Sequence, residues 1–505
     1  MPALRRIDSS TGPVALFGVA STRLIEGRAA ALLEPHALMR RAGAATARLA
    51  LALAPHARRF WVAAGPGNNG GDGFEAALCL RQDGRRADVM LVGTPDRLPA
   101  DAKDAFERAR AGGIEFATPP EGLAASDLAI DALLGIGGSR SPEGAIAEAV
   151  RQLNDLRCPV LAVDVPSGLS ADTGQAFGTD AVVAAHTLSL LTLKPGLFTG
   201  AGRDHAGSVW LDTLEVELAA QHAPDAWLRG VGNAFDSPGR RHASHKGTFG
   251  DVAVVGGADG MGGAAVLAAR AAHAAGAGRV YVALLNGRRS VGSDHDPMRP
   301  ELMFRADWSE SPPAVLARTT VVCGCGGGDA IRTPLPRLVS LAAQLVLDAD
   351  ALNAISSDRG LRTALLSRAT RHLPTIMTPH PLEASRLLDS STREVQRDRL
   401  GTARELAERY GCVAVLKGSG TVVAAPNAIP TINATGDASL ASAGTGDVLA
   451  GWIGGLWAQM PQHDPYEVAV RAVAEHGAAA EPLRDGPMRA ADLVEALHAR
   501  LRAAR

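Results

Sequence analysis

A glycine-rich loop in the first half of the chain carries residues suited to binding chemistry. The loop is PGNNGGDG, from Pro66 to Gly73, and it lies between a predicted strand and a predicted helix. Its glycines let backbone N–H groups approach a ligand, and the N-terminus of the following helix favours an anion. Asn68 and Asn69 add amide groups, and Asp72 adds a carboxylate. This composition indicates a binding site more than a simple tight turn.

Two further carboxylates follow predicted strands of the same region. Asp131 ends the run DLAID, and Asp164 lies near the end of PVLAVDVPSG. Ligands of parallel sheets gather outside the carboxyl ends of strands, although either aspartate alone could equally be a helix cap or a turn residue. Together with Asn69 and Ser167 they offer only oxygen ligands, which suit an alkali or alkaline-earth cation better than zinc. The loop GIGGSRSPEG, from Gly135, could enclose the rest of a ligand.

The second half of the chain carries two loops suited to phosphate groups. In SAGTGDVLAGWIGG, Gly444 and Gly446 open a predicted helix and Asp447 lies in its first turn. Free backbone N–H groups there could stabilise a transferring phosphate, and the carboxylate could accept a proton from an attacking hydroxyl. Asp447 could also be a helix-start residue favoured by the dipole. The loop KGSGT, from Lys417 to Thr421, supplies a cation and glycines suited to nucleotide phosphates.

Two other motifs of the second half admit more than one interpretation. A lone histidine is more often structural, but His380 in TPHPLE follows a strand near both phosphate loops, which favours a ligand role. Gly260, Gly262 and Ala265 satisfy the dinucleotide pattern G-x-G-x-x-G/A. The next strand, RVYVALLNGRR, ends in asparagine and arginine instead of an acidic residue, which weakens a dehydrogenase interpretation without removing it. The absence of G-x-x-x-x-G-K-[ST] excludes a P-loop enzyme.

The elements that must position these motifs alternate between short apolar runs and helical stretches. The predicted strands are RFWVAAG, ADVMLVG, DLAIDALLG, CPVLAVDVPSG, HTLSLLTL, SVWLDTLEVE, GDVAVVGG, RVYVALL, TTVVCGCG, QLVLDAD, PTIMTPH, CVAVLKGSG and TVVAAP. Runs of this kind between helices predict mostly parallel sheets that are buried on both faces. The sequence therefore predicts an α/β protein with domains at 1–222 and 244–505. A linker at 223–243 would join them, because Pro, Gly, His and Arg interrupt the pattern there.

The composition excludes several classes of protein. The 505 residues include 51 basic and 53 acidic side chains, a net charge of −2 that argues against wholesale capture of nucleic acid or acidic membrane. Aromatic residues are 4%, too few for a platform that stacks single strands. No apolar run approaches the ~20 residues of a membrane span. The five cysteines lack zinc spacing, so we expect reduced thiols, most of them in strands, in a cytoplasmic protein.

Four motifs of the first half resemble one enzyme domain. GPGNNGGDG, DALLGIGGSRSPEG, VDVPSGLSADTG and LKPGLFTGAGRDHAG, over about Leu24 to Glu217, resemble the epimerase domain of the bifunctional NAD(P)H-hydrate repair enzymes. The resemblance implies a Rossmann-like three-layer domain that interconverts the R and S epimers of a nicotinamide cofactor hydrated at ring carbon six. It also implies substrate contacts by Asn68, Asn69, Gly70, Gly71, Asp72, Gly135, Ile136, Gly137, Gly138, Ser139, Arg140, Ser141 and Asp164.

The same resemblance implies roles for the oxygen-bearing side chains. Asn69, Asp131 and Ser167 would hold a potassium ion. Asp164 would be the acid/base that opens and recloses the hydrated carbon, although a neighbouring residue could hold that role. In place of the glutamate that the family usually carries in an early helix, this chain has Arg40.

Five motifs from about Ser244 to the C-terminus resemble an ADP- or ATP-dependent NAD(P)H-hydrate dehydratase of ribokinase-like α/β fold. They are HKGTFGDVAVVGGADGMGGAAVLAARAAHAAGAG, LDADALN, MTPHPLEASRLL, VLKGSGTVVA and AGTGDVLAG. The resemblance implies phosphorylation of the ring hydroxyl of the S epimer, then loss of phosphate, with Mg²⁺ and ADP, or less readily ATP. The catalytic residue would be Asp447. Substrate contacts would be Ala265, Gly326, His380 and Asp447, and nucleotide contacts Lys417, Gly418, Ser419, Gly420, Thr421 and Gly446.

Two segments of the second half depart from the family pattern. The usual G-P-G is GCG here, with Cys325 between two glycines, and Asp437 to Leu440 replace a usual Asn-Pro-Gly-Met. The alternative hypothesis is a ribokinase-like small-molecule kinase with a non-catalytic nucleotide-binding N-terminal domain. That alternative leaves GPGNNGGDG unexplained. The family likeness also implies a homo-oligomer.

Overall fold

The fold was determined as a computed structural model that describes residues 4–10, 12–116, 120, 122–217, 222–231, 241–286, 295–484 and 486–503. The chain divides into two compact units. The first comprises the described residues of Met1–Asp8 and Val14–Trp227, and the second those of Ser9–Pro13 and Leu228–Arg505. Each unit combines a largely parallel sheet with helices, so the predicted α/β class is confirmed.

The described strands and helices of the first unit alternate along most of its length. The strands are β1 (Arg5–Ile7), β2 (Val14–Leu16), β3 (Arg59–Ala64), β4 (Arg86–Leu91), β5 (Glu115–Phe116), β6 (Leu128–Ala132), β7 (Val160–Val163), β8 (His186–Leu190) and β9 (Ser208–Asp212). The helices are α1 (Val19–Ala30), α2 (Ala37–Leu53), α3 (Asn68–Gln82), α4 (Ala100–Ala111), α5 (Gly144–Asn154) and α6 (Gly202–Ala206).

The sheet of the first unit has the order β1-β9-β8-β7-β6-β3-β4-β5. Strand β3 pairs in parallel with β4 on one side and with β6 on the other, and β1 alone runs antiparallel to its neighbour among the described pairings. The chain therefore moves outward from β3 through β4 and β5 and returns to β6 on the opposite side of β3. Loops that leave neighbouring strands in opposite directions create a crevice at the carboxyl ends of β3 and β6.

Both faces of this sheet are buried, which explains the continuous apolar runs of its strands. Successive side chains of a strand point to opposite faces. Phe60 and Val62 of β3 pack in one buried cluster with α2 and α3, and Trp61 and Ala63 pack in a second cluster with α5. The first unit is therefore a three-layer structure with helices on both sides of its sheet, as the sequence predicted.

The described elements of the second unit follow the same alternation. The strands are β10 (Ala226–Arg229), β11 (Asp251–Gly256), β12 (Arg279–Leu284), β13 (Met303–Phe304), β14 (Thr320–Cys323), β15 (Gln344–Leu347), β16 (Thr375–Met377), β17 (Val413–Leu416), β18 (Val422–Ala424) and β19 (Thr431–Asn433). The helices are α7 (Gly262–Ala274), α8 (Pro313–Leu316), α9 (Leu335–Leu341), α10 (Ala349–Ser357), α11 (Arg359–Thr370), α12 (Pro381–Leu387), α13 (Thr392–Arg397), α14 (Arg399–Tyr410), α15 (Thr445–Gln459), α16 (Pro465–Ala480) and α17 (Ala490–Ala503).

The second sheet runs in the order β13-β12-β11-β14-β15-β16-β17-β18-β19-β10. Strand β11 pairs in parallel with β12 and with β14, so a second switch point lies between β11 and β14. Helix α15 packs closely on α7 because its glycines face the backbone of that helix. A Cβ on Gly451 would lie 1.9 Å from the carbonyl oxygen of Ala268, and one on Gly455 would lie 2.3 Å from that of Ala272. This contact fixes the start of α15, which carries Asp447.

Several details differ from the sequence prediction. Strand β10 lies within 223–243, the segment predicted as a linker, and its four residues are too short to register as a pattern. Residues 232–240 of that segment, and Arg288 and Arg289 after β12, lie outside the described residues. The five cysteines are free thiols, as predicted, but only Cys323 belongs to a described strand. No helix in the described part of the chain is both long and apolar enough to span a membrane.

Candidate active sites in the two units

A cleft of about 870 Å³ opens in the first unit at the carboxyl ends of β3, β6 and β7. One wall is the turn after β3 with the start of α3, and the other is the loop that follows β6. The predicted contacts that line it are Asn68, Asn69, Asp72, Gly135, Ile136, Gly137, Gly138, Ser139, Arg140, Ser141 and Asp164. The structure thus brings the asparagine loop, the second glycine loop and Asp164 together.

Two of the predicted contacts, Gly70 and Gly71, are buried in α3 and do not line the cleft. A Cβ on Gly70 would lie 2.0 Å from the carbonyl oxygen of Gly65, and one on Gly71 would lie 2.6 Å from the sulfur of Met39. Their lack of a side chain lets α3 begin directly against β3 and α2. These glycines position the asparagines and have no described surface in the cleft.

Asp164 follows β7 in an unusual backbone conformation. Its φ of 69° lies in the left-handed region, which a residue with a side chain seldom adopts. Its N–H donates to the carbonyl of Leu188 at 2.7 Å, and this bond holds the turn. The carboxylate is nine-tenths buried, and it accepts a hydrogen bond from the ammonium group of Lys194. Strain of this kind is a feature of functional sites.

Lys194 is a functional residue that the sequence analysis did not single out. Its side chain is fully buried, and its Nζ also donates to the carbonyls of Leu190 at 2.7 Å and Thr192 at 3.0 Å. A buried lysine is costly unless it is paired, so its role is to fix the Asp164 carboxylate at the edge of the cleft. The signal was present in LKPG, where a cation directly follows an apolar strand.

A second carboxyl group, on Asp72, differs in its electrostatic environment. Burial raises the pKa of Asp72 well above its ordinary range, and the nearby carboxylates of Asp164 and Glu26 raise it further, whereas Lys194 lowers it. Burial also raises the pKa of Glu26. The cleft therefore pairs a carboxylate held by an ammonium group with a carboxyl group that favours its protonated form. Such a pair can exchange a proton with one ligand.

The predicted potassium ligands are partly assembled. The Oγ of Ser167 donates to Asp131 at 2.6 Å, and the backbone N–H of Ser167 donates to the same carboxylate at 2.8 Å. Both residues are fully buried, and burial raises the pKa of Asp131 to about 6 although these bonds lower it. The Nδ2 atom of the buried Asn69 has no hydrogen-bond partner among the described residues. Oxygen ligands of this kind suit an alkali or alkaline-earth cation, and a potassium ion held by Asn69, Asp131 and Ser167 stays a prediction.

The early departure from the family pattern, Arg40, lies near an internal ion pair. The buried Glu75 of α3 accepts a hydrogen bond from Arg108, and Arg40 adds a second positive charge that lowers the pKa of Glu75. Burial acts in the opposite direction and prevails, so the pKa of Glu75 is raised. Arg40 of α2 therefore contributes a positive charge to the surroundings of Glu75 on α3.

In the second unit, Asp447 lies in the first turn of α15, a helix start that no described side chain caps. Backbone N–H groups at such a start can bind an anion. Burial raises its pKa to about 6, and the nearby carboxylate of Asp348 adds to this rise, whereas a hydrogen bond from Cys325 and the charge of Lys417 lower it. Asp447 is thus ionised at neutral pH and close to its own pKa, as a general base requires.

A buried network links Asp447 to the KGSGT loop. Lys417 donates to Oδ1 of Asp348 at 2.6 Å, and Thr378 donates to the same oxygen at 2.8 Å. A Cβ on Gly446 would lie only 3.3 Å from Nζ of Lys417, so the lysine lies directly beside the start of α15. The predicted nucleotide and catalytic motifs are therefore brought together, and Asp348 holds the lysine between them.

The remaining nucleotide contacts form the turn between β17 and β18. Gly418 and Gly420 have φ values of 130° and 60°, which favour glycine, and Thr421 donates from Oγ1 to the carbonyl of Gly418 at 3.1 Å. Gly418 and Ser419 are exposed, so this turn is open to a ligand from outside. The buried Arg399 donates to the carbonyl of Lys417 at 3.1 Å and supports the turn from beneath.

His380 has a structural role in the described chain. Its Nδ1 accepts from the N–H groups of Leu382 and Glu383 at 3.1 and 3.2 Å, while the Glu383 carboxylate accepts from the N–H of His380. This reciprocal pair is a capping box at the start of α12. Nearly half of the His380 side chain stays exposed, so a ligand role for it stays a prediction.

The predicted substrate contacts Ala265 and Gly326 lie at the switch point of the second sheet. Ala265 is buried on α7, and Gly326 has a φ of 58° in the loop after β14. The carbonyl of Gly326 accepts from the N–H of Ala258 at 2.7 Å, which joins the two glycine loops.

The segment Asp437 to Leu440 forms a short turn in which Asp437 accepts from Ser439 at 2.9 Å and thus replaces the usual residues with a capped turn.

Two residues of this site carry signals that the sequence analysis did not use. Asp348 directly follows β15 in LDADALN, in the position where a carboxylate at a strand end is expected to face a ligand. His476 of α16 is buried, and its Nε2 donates to the carbonyl of Thr445 at 2.9 Å, so that it supports the start of α15. Its position on α16 became informative only once the fold placed it under Thr445.

Comparisons with known proteins match both halves of the chain. A family model described as NAD(P)H-hydrate dehydratase matches residues 252–500, and one described as YjeF-related protein N-terminus matches residues 35–196. The bifunctional NAD(P)H-hydrate repair enzyme Nnr of Escherichia coli (strain K12) is 37% identical over 466 residues, which cover 88% of this chain and 85% of that protein. The bifunctional NAD(P)H-hydrate repair enzyme of Leishmania braziliensis is 36% identical over 485 residues, which cover 88% and 84%.

A solved structure is similar to the second unit. It is the ADP/ATP-dependent NAD(P)H-hydrate dehydratase from Bacillus subtilis, co-crystallised with ATP and Mg²⁺, which is 30% identical with a TM-score of 0.41. The likeness covers 52% of this chain and 91% of that one. The curated relatives, by contrast, match across both units at more than 30% identity and over most of their own length. The chain therefore belongs to the family of bifunctional NAD(P)H-hydrate repair enzymes.

Proposed function

We propose that the chain repairs hydrated NADH and NADPH by two reactions, one in each unit. The first unit would interconvert the R and S epimers, and the second would dehydrate the S epimer to the reduced cofactor. The observation that carries this proposal is the same in both units. A buried carboxylate beside a lysine, either Asp164 with Lys194 or Asp348 with Lys417, lies at the carboxyl end of a parallel sheet.

Epimerisation would proceed through the hydroxyl-bearing ring carbon, which is also bonded to the ring nitrogen. Asp164 would accept the hydroxyl proton while the carbon–nitrogen bond breaks, so that the carbon becomes a carbonyl and the electron pair stays on nitrogen. Reclosure on the opposite face would return the proton to oxygen. Lys194 would hold the carboxylate in place, and Asp72, whose pKa is raised by burial, is the neighbouring group that could hold or supply a proton.

Asn69, Asp131 and Ser167 would hold a potassium ion behind the cleft. When bound, the ion would supply a positive charge that keeps Asp131 ionised and the loops after β6 and β7 together. The two hydrogen bonds from Ser167 to the carboxylate of Asp131 support a shared role for these two residues.

Dehydration would begin when Asp447 takes the proton of the ring hydroxyl and the hydroxyl oxygen attacks the terminal phosphorus of the nucleotide. As the new O–P bond forms, the bond from that phosphorus to the bridging oxygen would break, and the nucleotide would leave one phosphate shorter. The backbone N–H groups at the start of α15 would stabilise the charge on the transferring phosphate. Lys417 and the turn through Gly418, Ser419, Gly420 and Thr421 would hold the nucleotide, which Mg²⁺ accompanies. Phosphate would then leave with the ring oxygen, and loss of the adjacent ring proton restores the double bond.

The finer assignments belong to the same proposal. We assign the epimerase domain to 1–222, a connecting segment to 223–243 and the ribokinase-like dehydratase domain to 244–505. ADP is the proposed phosphate donor in preference to ATP, and the protein is proposed to be a cytoplasmic homo-oligomer. These assignments rest on the motifs of the sequence together with the family membership.

Epimerisation can be tested without the second reaction. Purified R-configured hydrated NADH is incubated with the chain, potassium and no nucleotide, and the two epimers are separated by chromatography over time. The proposal expects conversion to an epimer mixture faster than in a protein-free control. Addition of ADP or ATP with Mg²⁺ should then convert both epimers to NADH, and the faster nucleotide is the donor. An unchanged R epimer would instead favour a non-catalytic first unit.

A further inference from the structure

The dehydratase site contains a group of three potential metal ligands, of which the proposed phosphate transfer uses the two carboxylates but not the thiol. These are the thiol of Cys325 and the carboxylates of Asp348 and Asp447, whose ligand atoms all lie within 4.8 Å of one another. Cys325 and Asp348 are buried, while Asp447 is partly exposed and gives the group an opening. We propose that these residues form an inhibitory site for zinc or a similarly thiol-seeking divalent cation.

The geometry is close to what such an ion needs. In a tetrahedral site with Zn–S of ~2.3 Å and Zn–O of ~2.0 Å, the sulfur and oxygen lie ~3.5 Å apart. The sulfur of Cys325 is 3.9 Å from Oδ2 of Asp348, so a shift of a few tenths of an ångström suffices. Lys417 and Thr378 bind the other oxygen, Oδ1, and therefore need not move.

The charges also favour a divalent cation. Asp348 and Asp447 face the ammonium group of Lys417, which leaves one negative charge in excess in a buried place. When a divalent ion binds, the thiol of Cys325 releases its proton to solvent. The two carboxylates and the thiolate then carry three negative charges, and the ion and Lys417 carry three positive charges, so this group is neutral. No electron is transferred. A sulfur ligand selects zinc-like ions over Mg²⁺, which prefers six oxygen ligands.

Occupation of the site would block the proposed dehydration. Asp447 would be bound to the metal and could no longer accept the hydroxyl proton, and the open fourth position would take water or phosphate. This consequence rests on the proposed function, whereas metal binding itself does not. Cys325 stands where the family usually has proline, so the inhibition would distinguish this chain from relatives with G-P-G.

Direct binding is the test. Zinc is titrated into the metal-free full-length chain without nucleotide, in competition with a chromogenic chelator. We expect Cys325→Ala and Cys325→Ser to lose one zinc per chain, or to bind it at least about tenfold more weakly, since each removes a ligand. Cys323→Ala is the matched control, because that buried thiol lies two residues away and outside the group, and it should bind as the wild type does.

Two further measurements separate the possible outcomes. Cobalt(II) in place of zinc should give the near-ultraviolet absorbance of a thiolate–cobalt bond in the wild type and in Cys323→Ala, and Cys325→Ser should lack it. At buffered free zinc, dehydration should fall in the wild type and recover with a chelator, whereas epimerisation should not change. Equal zinc binding by wild type and both Cys325 variants would overturn the proposal. Zinc binding without any dehydration activity would sustain the site and contradict only the proposed function.

Discussion

At the scale of single residues, each unit has a buried carboxylate that a lysine holds in place. Asp164 and Asp348 both accept a hydrogen bond from a lysine that has little or no exposure, and both follow a strand of a parallel sheet. In the second unit the held carboxylate positions Lys417, and the proposed base is the separate Asp447. In the first unit the held carboxylate is itself the proposed acid/base. The two lysines therefore have different proposed roles.

Removal of the first lysine tests this difference. Lys194→Met leaves the Asp164 carboxylate without its counter-charge, so we expect epimerisation to slow by about a hundredfold or more. Rates are measured by chromatography of the two epimers. Lys194→Arg should restore part of the rate, and dehydration of the S epimer should persist in both variants. An unchanged epimerisation rate in Lys194→Met would contradict this role of Lys194.

The potassium site is tested by a stability measurement. Thermal unfolding of the wild type should shift upward in potassium chloride compared with tetramethylammonium chloride at equal ionic strength, because the ion binds only the folded state. Asp131→Asn should abolish that shift. The matched control is Asp127→Asn. Asp127 is a buried aspartate just before β6, and its carboxylate accepts hydrogen bonds from backbone N–H groups. This variant should be less stable than the wild type but should keep the potassium-dependent shift. A potassium-dependent shift that survives in Asp131→Asn would remove Asp131 from the site.

At the scale of elements, the contact between α15 and α7 positions the catalytic aspartate. Gly451→Ala places a methyl group 1.9 Å from the Ala268 carbonyl oxygen, so the helices must separate. We expect a loss of unfolding free energy of about 1–3 kcal/mol and a dehydration rate lowered more than tenfold, since Asp447 moves with its helix. Denaturant titration and the dehydration assay measure the two effects. Gly27→Ala, on α1 in open space, should leave both nearly unchanged.

The buried His476, which donates a hydrogen bond to the start of α15, predicts that stability depends on pH. Burial lowers the pKa of His476 to about 4 in the folded chain, against about 6.5 for an ordinary histidine. Between these values the unfolded state binds more protons, so the unfolding free energy falls as pH falls. The contribution is fully present above pH ~6.5 and is lost by pH ~4, about 3 kcal/mol in total. In His476→Gln this part of the slope should vanish in denaturant titrations across that range. Parallel slopes for both proteins would refute the assignment.

The elements were predictable because their signals are local. The apolar runs from RFWVAAG to TVVAAP all contain described strands, since a strand that is buried on both faces must be apolar throughout. The six strands outside these runs are β1, β2, β5, β10, β13 and β19, each of only two to four residues. The contacts of Asp164 with Lys194 and of Thr445 with His476 join residues 30 and 31 positions apart. Only the fold brings such pairs together, so the sequence predicted the carboxylate Asp164 but not its lysine.

At the scale of the whole molecule, each unit has its own sheet, its own buried core and its own candidate site. The two reactions should therefore be separable by substitution. Asp164→Asn should lose epimerisation and keep dehydration of the S epimer, and Asp447→Asn should show the reverse. Because hydrated NADH is a free small molecule, an equal mixture of the two variant proteins should repair both epimers.

The most direct test of the central claim is the recovery of NADH absorbance from an R and S mixture of hydrated NADH, with Mg²⁺, potassium and the preferred nucleotide. The account predicts full recovery with the wild type and with the mixture of variants, and none with Asp447→Asn alone. Asp164→Asn alone should recover only the S fraction, beyond slow spontaneous epimerisation. No recovery with the wild type, or full recovery with Asp447→Asn, would contradict the account.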